Sequence, residues 1–424
     1  MNRQYFEVGA MAVITSLRVN GDRLQQRLNA LAAIGRLPEG GVRRIAYSDD
    51  DLAARQWVTT AMLEAGMTVT RDAAGNIIGR YAGKKSLPAL AAGSHIDTVP
   101  AGGRYDGALG VLAGIEVVAT LNQAGQRLNH PIEVIVFTDE EGEMIGSKAM
   151  AGTLHLDDAE PFRRLDGTAI QTCLQRIGGD WDGLPTAQRT AQDMAAYLEL
   201  HVEQGGVLES VQRQIGVVQG IVSLHRYQVV ITGRPNHAGT TPMTMRQDAL
   251  YAASLLVAAV HDVATNPPGD QVATVGYLTV QPNAANIVPG RVDLTIDLRD
   301  LSLEVINRMV NHLQQCIQAI ASATHTKIQM QPQHAVDPTL ASATIQTTIA
   351  AVCDSLQLSH YFMPSRAVHD AQEIGRITSM GMIFVPSQAG VSHAEDEYTS
   401  PEQCSQGANV LLNTLLRLDA LLSV

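Results

Sequence analysis

Four short apolar runs in this chain each lead into histidine or carboxylate, and that repeated placement constrains the fold more than any other feature. "LPALAAGSHID" ends in Ser94-His95-Ile96-Asp97, and "IEVIVFTDEEG" ends in Asp139-Glu140-Glu141-Gly142. "AAYLELHVEQG" ends in His201-Val202-Glu203, and "MGMIFVPS" is followed by a loop carrying Ser392-His393-Ala394-Glu395. Runs this short and this apolar read as strands buried on both faces. Between the first two lies "GALGVLAGIEVVATLNQAG", an apolar helix ending at Gly125. Buried strands alternating with helices predict a mostly parallel α/β sheet. In such open sheets ligands bind outside the carboxyl ends of the strands. One fold can therefore bring three histidines and several carboxylates to one pocket. Asp106, in the Gly-rich turn "GGRYDGALGV" that opens the helix, comes to the same edge.

The rest of the chain has a different texture. Up to Gly66 the pattern is helical, with Leu52, Trp57, Met62 and Leu63 at helical spacings behind Ser48 and three aspartates. Met67–Tyr81 alternates about Ala74-Gly75-Asn76, which predicts a hairpin. Between Arg213 and Gln331, "IGVVQGIVSLHRYQVVITGRP", "VATVGYLTVQPN" and "GRVDLTIDLRD" alternate like antiparallel strands. Helical patterns intervene near Met245–Val263 and Leu303–Ala323. That order fits a small α+β domain at 213–331, inserted into a catalytic domain formed by 1–212 and 332–424. The chain returns through "HAVDPT". A length of 424 residues agrees with two or three domains at roughly 100–200 residues each.

The net charge of -12, spread along the chain, argues against nucleic acid as a partner. No run reaches the ~18 apolar residues of a membrane span. The apolar patch Val8–Ile14 lacks the cleavage site of a secretory signal. Cys173, Cys316, Cys353 and Cys404 form no CxxC pair, and the expectation is reduced thiols in the cytoplasm.

Taken singly, the chemical residues are ordinary. A lone histidine usually packs, adjacent glutamates usually face solvent, and the Gly-rich turn lacks the Lys-Ser/Thr of a phosphate loop. Placed together at the ends of apolar strands they would be buried at a cost of several kcal/mol each unless partnered, and a metal is a common partner. Imidazole with carboxylate suits zinc, manganese, cobalt or nickel. Five ligand positions exceed what one four-coordinate catalytic zinc with an open site requires. They suit two ions sharing a carboxylate, with another carboxylate nearby as general base.

The motifs "GSHIDTVPAGGRYDGALGV", "TDEEGE", "HVEQG", "NHAGTTPMTMRQDAL", "PNAANIVPG", "DLRD" and "SHAEDEYT" together resemble the N-carbamoyl-L-amino-acid hydrolase family, which includes β-ureidopropionase and allantoate amidohydrolase. That family belongs with the two-metal peptidases and aminoacylase. The resemblance implies an exopeptidase-like catalytic domain and an inserted ferredoxin-like domain serving as lid and dimer interface. It implies that His95 and His201 bind one divalent ion, that Glu141 and His393 bind the other, and that Asp106 bridges them. Asp97 would support His95, and Glu140 would be the general base. His237 would stabilise the oxyanion from a partner subunit of a homodimer, Asn286 and Arg299 would hold the substrate carboxylate, and Gln204 would contact the ureido group. Arg299 can instead pair with Asp297 or Asp300 on its own strand, and Asn286, His237 and Gln204 can instead be turn residues.

The implied reaction is hydrolysis of N-carbamoyl-L-amino acids to amino acid, carbon dioxide and ammonia. Allantoate or a related ureide is the alternative substrate, although the two threonines of "NHAGTTPM" look more like the carbamoyl branch. The chain departs from the family at "EEGEMIGSKAMAG", where an Arg-Phe or Arg-Tyr and several more residues usually intervene. That shortening leaves open a catalytically impaired relative that binds a small carboxylate. Gly206 also stands where proline is usual.

Overall fold

A computed structural model describes residues 17–154 and 167–423. The Val8–Ile14 patch lies outside the described residues. The strands, in chain order, are β1 Thr68–Arg71, β2 Ile77–Tyr81, β3 Ala89–His95, β4 Ile132–Phe137, β5 Met194–Val202, β6 Ile215–Ile221, β7 Ser223–Thr232, β8 Asn236–His237, β9 Val272–Gln281, β10 Ile287–Val288, β11 Arg291–Asp300, β12 Lys327–Val336, β13 Thr339–Leu340, β14 His360–Ser365 and β15 Met380–Val385. By contact density the chain forms two compact units, 1–216 with 347–361 and 383–424, and 217–346 with 362–382.

In the first unit the sheet order runs β1-β2-β4-β3-β5, with β15 next. β3 pairs parallel with both β4 and β5, so the centre is parallel as the apolar runs imply. β1 and β2 form the expected hairpin, antiparallel with Val69 opposite Gly79, and Gly75 turns it with a φ of 78°. β3 and β4 are buried at every position, which is why they show no alternation. The helix Ala108–Gln123 is buried through Leu121, as its all-round apolar surface requires. Its one charge, Glu116, is fully buried and is held by Arg23 at 2.6 Å and Arg27 at 3.1 Å from the helix Gly21–Ala32.

Ser48 caps the helix Asp49–Glu64 by accepting from Asp51 N–H, and three aspartates occupy its first turn, where they complement the helix dipole. The buried face differs from the one the apolar spacing suggests. Leu63 is 56% exposed, whereas Asp51 and Arg55 are buried as an ion pair 3.0 Å apart. Arg55 also donates to the Gly75 carbonyl and the Thr138 hydroxyl. It thus ties the hairpin turn to the end of β4.

The second unit contains a four-stranded antiparallel sheet in the order β12-β7-β11-β9. Helices Ala249–Thr265 and Leu303–Thr324 complete a β-α-β-β-α-β order, the ferredoxin-like pattern. Leu256, Val260, Ile306 and Leu313 from the helices share one core with Val229, Ile231, Leu294 and Ile296 from the sheet. β12 continues to Val336, past residue 331 where the insertion was expected to close, because His334–Val336 keep pairing with β7. The next strand, β13, pairs with β6. Among the described residues no helix is long and apolar enough to cross a membrane.

Candidate metal centre

All the side chains of the expected ligand set lie in the first unit, and the strand ends deliver them. β3 ends at His95, and β5 carries His201 one residue before its end. After β4 the chain turns tightly at Asp139, whose φ is 64°. The Asp139 carbonyl accepts from Met144 N–H at 2.7 Å, and its carboxylate accepts from Glu143 N–H at 3.3 Å. Aspartate is among the few residues that tolerate left-handed backbone. The turn is compact, and Glu140 and Glu141 face the cluster. Glu140 Oε2 is 3.5 Å from His95 Nε2, and Glu141 Oε1 is 3.6 Å from His393 Nε2.

Asp106 is the centre of the arrangement. Its Oδ1 stands 3.1 Å from His201 Nε2 and 3.8 Å from His95 Nε2, while its Oδ2 stands 3.2 Å from His393 Nε2. Two triplets result, His95-Asp106-His201 and Asp106-Glu141-His393, each with its ligand atoms within 4.8 Å of one another. Gly107, at φ 62°, lets the chain pass against the His95 ring, since a Cβ there would lie 2.5 Å from ring atoms. Gln204, also left-handed at φ 59°, donates from Nε2 to Asp106 Oδ2 at 2.9 Å.

The imidazoles are oriented from behind. His95 Nδ1 lies 3.0 Å from the Asp97 carbonyl, and His201 Nδ1 lies 2.9 Å from the Val202 carbonyl. A carbonyl only accepts, so each Nδ1 carries a proton and each Nε2 faces the acid cluster. Asp97 supports His95 through this backbone oxygen. Its carboxylate lies farther off, with Oδ1 at 3.8 Å, and its Oδ2 accepts from Glu141 N–H at 3.1 Å. One residue therefore steadies a member of each triplet. Glu203, left without a role by its sequence, caps Val207 and Leu208 N–H at 2.7 and 2.9 Å.

Electrostatics show what the pocket asks for. Burial alone would raise the Asp106 carboxyl, but the His201 and His393 imidazoles outweigh it and hold it well below the usual carboxylate range. Burial opposes a charged His201, yet Asp106 raises it to about 9. The neighbouring Asp106 likewise raises His393 to about 9. Burial, reinforced by the Asp106 charge, pushes Glu141 up to about 7. Asp106 Oδ1 and Asp97 Oδ1 are buried without a hydrogen-bond partner. The Asp106 oxygens, facing the Nε2 atoms of His201, His95 and His393, form with them a donor set that fits hard or borderline divalent cations.

The other expected site residues belong to the second unit. β8 and β10 form a two-stranded ribbon with His237 opposite Ile287, and Ala238 N–H donates to the Asn286 carbonyl at 2.9 Å, so His237 and Asn286 come together. His237 Nδ1 accepts from Gly239 and Thr240 N–H at 3.0 and 3.2 Å. Its proton is thereby placed on Nε2. Arg299 bonds Asp297 through Nε at 2.9 Å and the Arg366 carbonyl through Nη1 at 2.8 Å. The pairing with Asp297 left open by the sequence is therefore formed.

Two residues that the ligand motif did not single out also reach the cluster. Ser392 Oγ lies 3.3 Å from Asp106 Oδ2 and 2.8 Å from Glu397 Oε2. Their signal was their position in "SHAEDEYT", beside His393.

Comparison with known proteins identifies the family. Residues 91–417 match the model of peptidase family M20/M25/M40. The chain is 40% identical over 406 residues to an N-carbamoyl-L-amino acid amidohydrolase from Geobacillus stearothermophilus, covering 94% of this chain and 99% of that protein. It is 35% identical to a ureidoglycolate hydrolase from Arabidopsis thaliana, covering 97% and 89%. A crystal structure of a putative amidohydrolase/peptidase from Burkholderia cenocepacia superposes with a TM-score of 0.89 at 36% identity, covering 95% and 99%.

Proposed function

Because the chain belongs to peptidase family M20/M25/M40 and is an amidohydrolase acting on C–N bonds, we propose that its site is a two-metal centre hydrolysing the carbamoyl bond of N-carbamoyl-L-amino acids. The observation that carries this reading is the place of Asp106 in both triplets, one carboxylate oxygen toward each. His95 and His201 would hold one ion, Glu141 and His393 the other, and Asp106 both. Zinc, manganese, cobalt and nickel all suit these ligands. When bound, such a pair supplies an activated water and polarises the carbonyl to be attacked.

The chain's own residues supply the rest. Glu140, beside His95 at the rim of the cluster, takes the proton of the attacking water and passes it to the leaving amine. Asp97 holds His95 and the Glu141 backbone in register. His237 carries its proton on Nε2, the form that donates to a developing oxyanion, and would do so from a partner subunit. Asn286 and Arg299 would orient the substrate carboxylate. The Arg299 fork is engaged at two nitrogens, so Asp297 and the substrate would share it. Gln204 would exchange its bond to Asp106 for one to the ureido group. Products are the amino acid, carbon dioxide and ammonia.

A homodimer formed through the second unit, which would also act as lid, fits this role for His237. Edge strand β9 presents Tyr277 and Leu278, and the helix beside it presents Leu250, Tyr251 and Val257, all exposed. Four cysteines outside any disulfide support a cytoplasmic location. The relative from Arabidopsis thaliana supports allantoate or a related ureide as the second reading of the substrate. The impaired-relative reading is disfavoured because Glu140 and Glu141 keep their places at 3.5 and 3.6 Å despite the short turn.

The test is ammonia release from a panel of N-carbamoyl-L-amino acids and ureides, after stripping metal and restoring manganese or zinc. Metal-dependent turnover greatest on a carbamoyl amino acid is expected. Turnover only on a ureide would move the substrate to the second reading. No turnover with metal bound would support the impaired relative.

A further inference from the structure

Glu397 is 4% exposed, and its carboxylate faces three donors. Oε1 accepts from Tyr105 N–H and Asp106 N–H, both at 3.1 Å, and Oε2 accepts from Ser392 O–H at 2.8 Å. It thus ties the loop of His393 to the turn of Asp106 across 291 positions of sequence. Gly103 has no side chain because a Cβ would stand 2.1 Å from Glu397 Oε1.

Ser392 has one proton and two nearby acceptors, Glu397 Oε2 at 2.8 Å and Asp106 Oδ2 at 3.3 Å. The shorter, charge-assisted bond takes the proton. Asp106 Oδ2, the oxygen that faces His393, is then spared it.

We propose that Glu397 is a positioning residue for the metal centre: it grips the Asp106 backbone and holds the Ser392 proton away from the Asp106 carboxylate. This rests on the two-metal reading above. Glutamine at 397 is nearly isosteric. It can present its oxygen to the two backbone N–H groups and its NH2 to Ser392 Oγ. The hydroxyl must then turn its proton to Asp106 Oδ2, where it competes with a cation. The defect should disappear when the hydroxyl itself is removed.

Zn2+ affinity of the metal-stripped full-length chain is measured by competition with a chromophoric chelator for wild type, Glu397→Gln, Ser392→Ala and the double variant. Wild type should take up two ions. Glu397→Gln should bind the weaker ion about 10–100-fold less tightly, the range for losing an outer hydrogen-bond partner. Ser392→Ala should bind within about threefold of wild type, and the double variant should recover most of the loss. Unchanged affinity in Glu397→Gln, or a double variant as weak as the single one, overturns the proposal. Failure of wild type to bind two ions instead overturns the metal-centre reading itself. Thermal melting of each metal-free variant separates these outcomes from misfolding, and a Glu397→Gln chain that melts like wild type but binds weakly supports the proposal.

Discussion

Replacing Gly107 with alanine tests whether the ligand geometry rests on one close backbone approach. Gly107 has φ 62° and ψ −51°, a conformation that side chains with a Cβ avoid. Such sparsely populated backbone costs a non-glycine residue about 1–3 kcal/mol. The new methyl would also sit 2.5 Å from His95 Cε1 and Nε2 and 2.6 Å from Cδ2. Carbon contacts are comfortable near ~3.5 Å, so the ring must retreat by about 1 Å. It cannot do so freely, because Nδ1 is pinned to the Asp97 carbonyl at 3.0 Å. A displacement of about 1 Å in a catalytic array can cost ~100-fold in rate. Gly125→Ala is the matched control, since its φ is 65° and nothing lies within 4 Å of the added Cβ. Denaturant unfolding should show both variants destabilised by about 1–3 kcal/mol. Only Gly107→Ala should lose zinc affinity and about 100-fold in kcat/KM. Equal zinc affinity and turnover in the two variants would refute the reasoning.

Three further outcomes are expected. Glu140→Gln should retain both ions yet lose about 100–10,000-fold in turnover, whereas Asp106→Ala should lose metal, as read by elemental analysis after dialysis; equal metal loss would overturn the division of roles. Glu116→Ala should lower unfolding free energy by about 2–3 kcal/mol, short of the ~3–5 for a fully buried pair because Arg23 and Arg27 can still reach water; a change below about 0.5 kcal/mol would show that the cluster does not anchor the helix Gly21–Ala32. Burial pushes the Cys353 and Cys404 thiols up to about 12. They therefore stay protonated and unreactive at pH 8, and of the four thiols only Cys316, the one not fully buried, should react quickly with a disulfide reagent. Rapid modification of Cys404 would contradict its burial.

The parts legible in the sequence are those set by local composition. β3, β4, β5 and β15 announce themselves because strands buried on both faces are predominantly apolar, so a histidine or carboxylate at or just past their ends stands out. Ser48 and its aspartates mark a helix start for equally local reasons. What stayed hidden depends on distant partners. Asp51 and Arg55 look like a solvated face until each is seen to satisfy the other in the interior. Asp97 reads as a carboxylate partner for His95, but the bond goes through its carbonyl, which no sequence pattern encodes. Glu397 was one acidic residue in a motif rich in them, and its importance rests on Tyr105 and Asp106 folding against it. The engagement of Arg299 with Asp297 was one of two open alternatives, decided by their spacing along β11.

The most direct test of the central claim is anomalous X-ray scattering from crystals soaked in zinc. The account predicts two peaks about 3.5–4 Å apart astride the Asp106 carboxylate, one beside His95 and His201 and the other beside Glu141 and His393. A single peak, or two peaks with Asp106 touching only one, would contradict it.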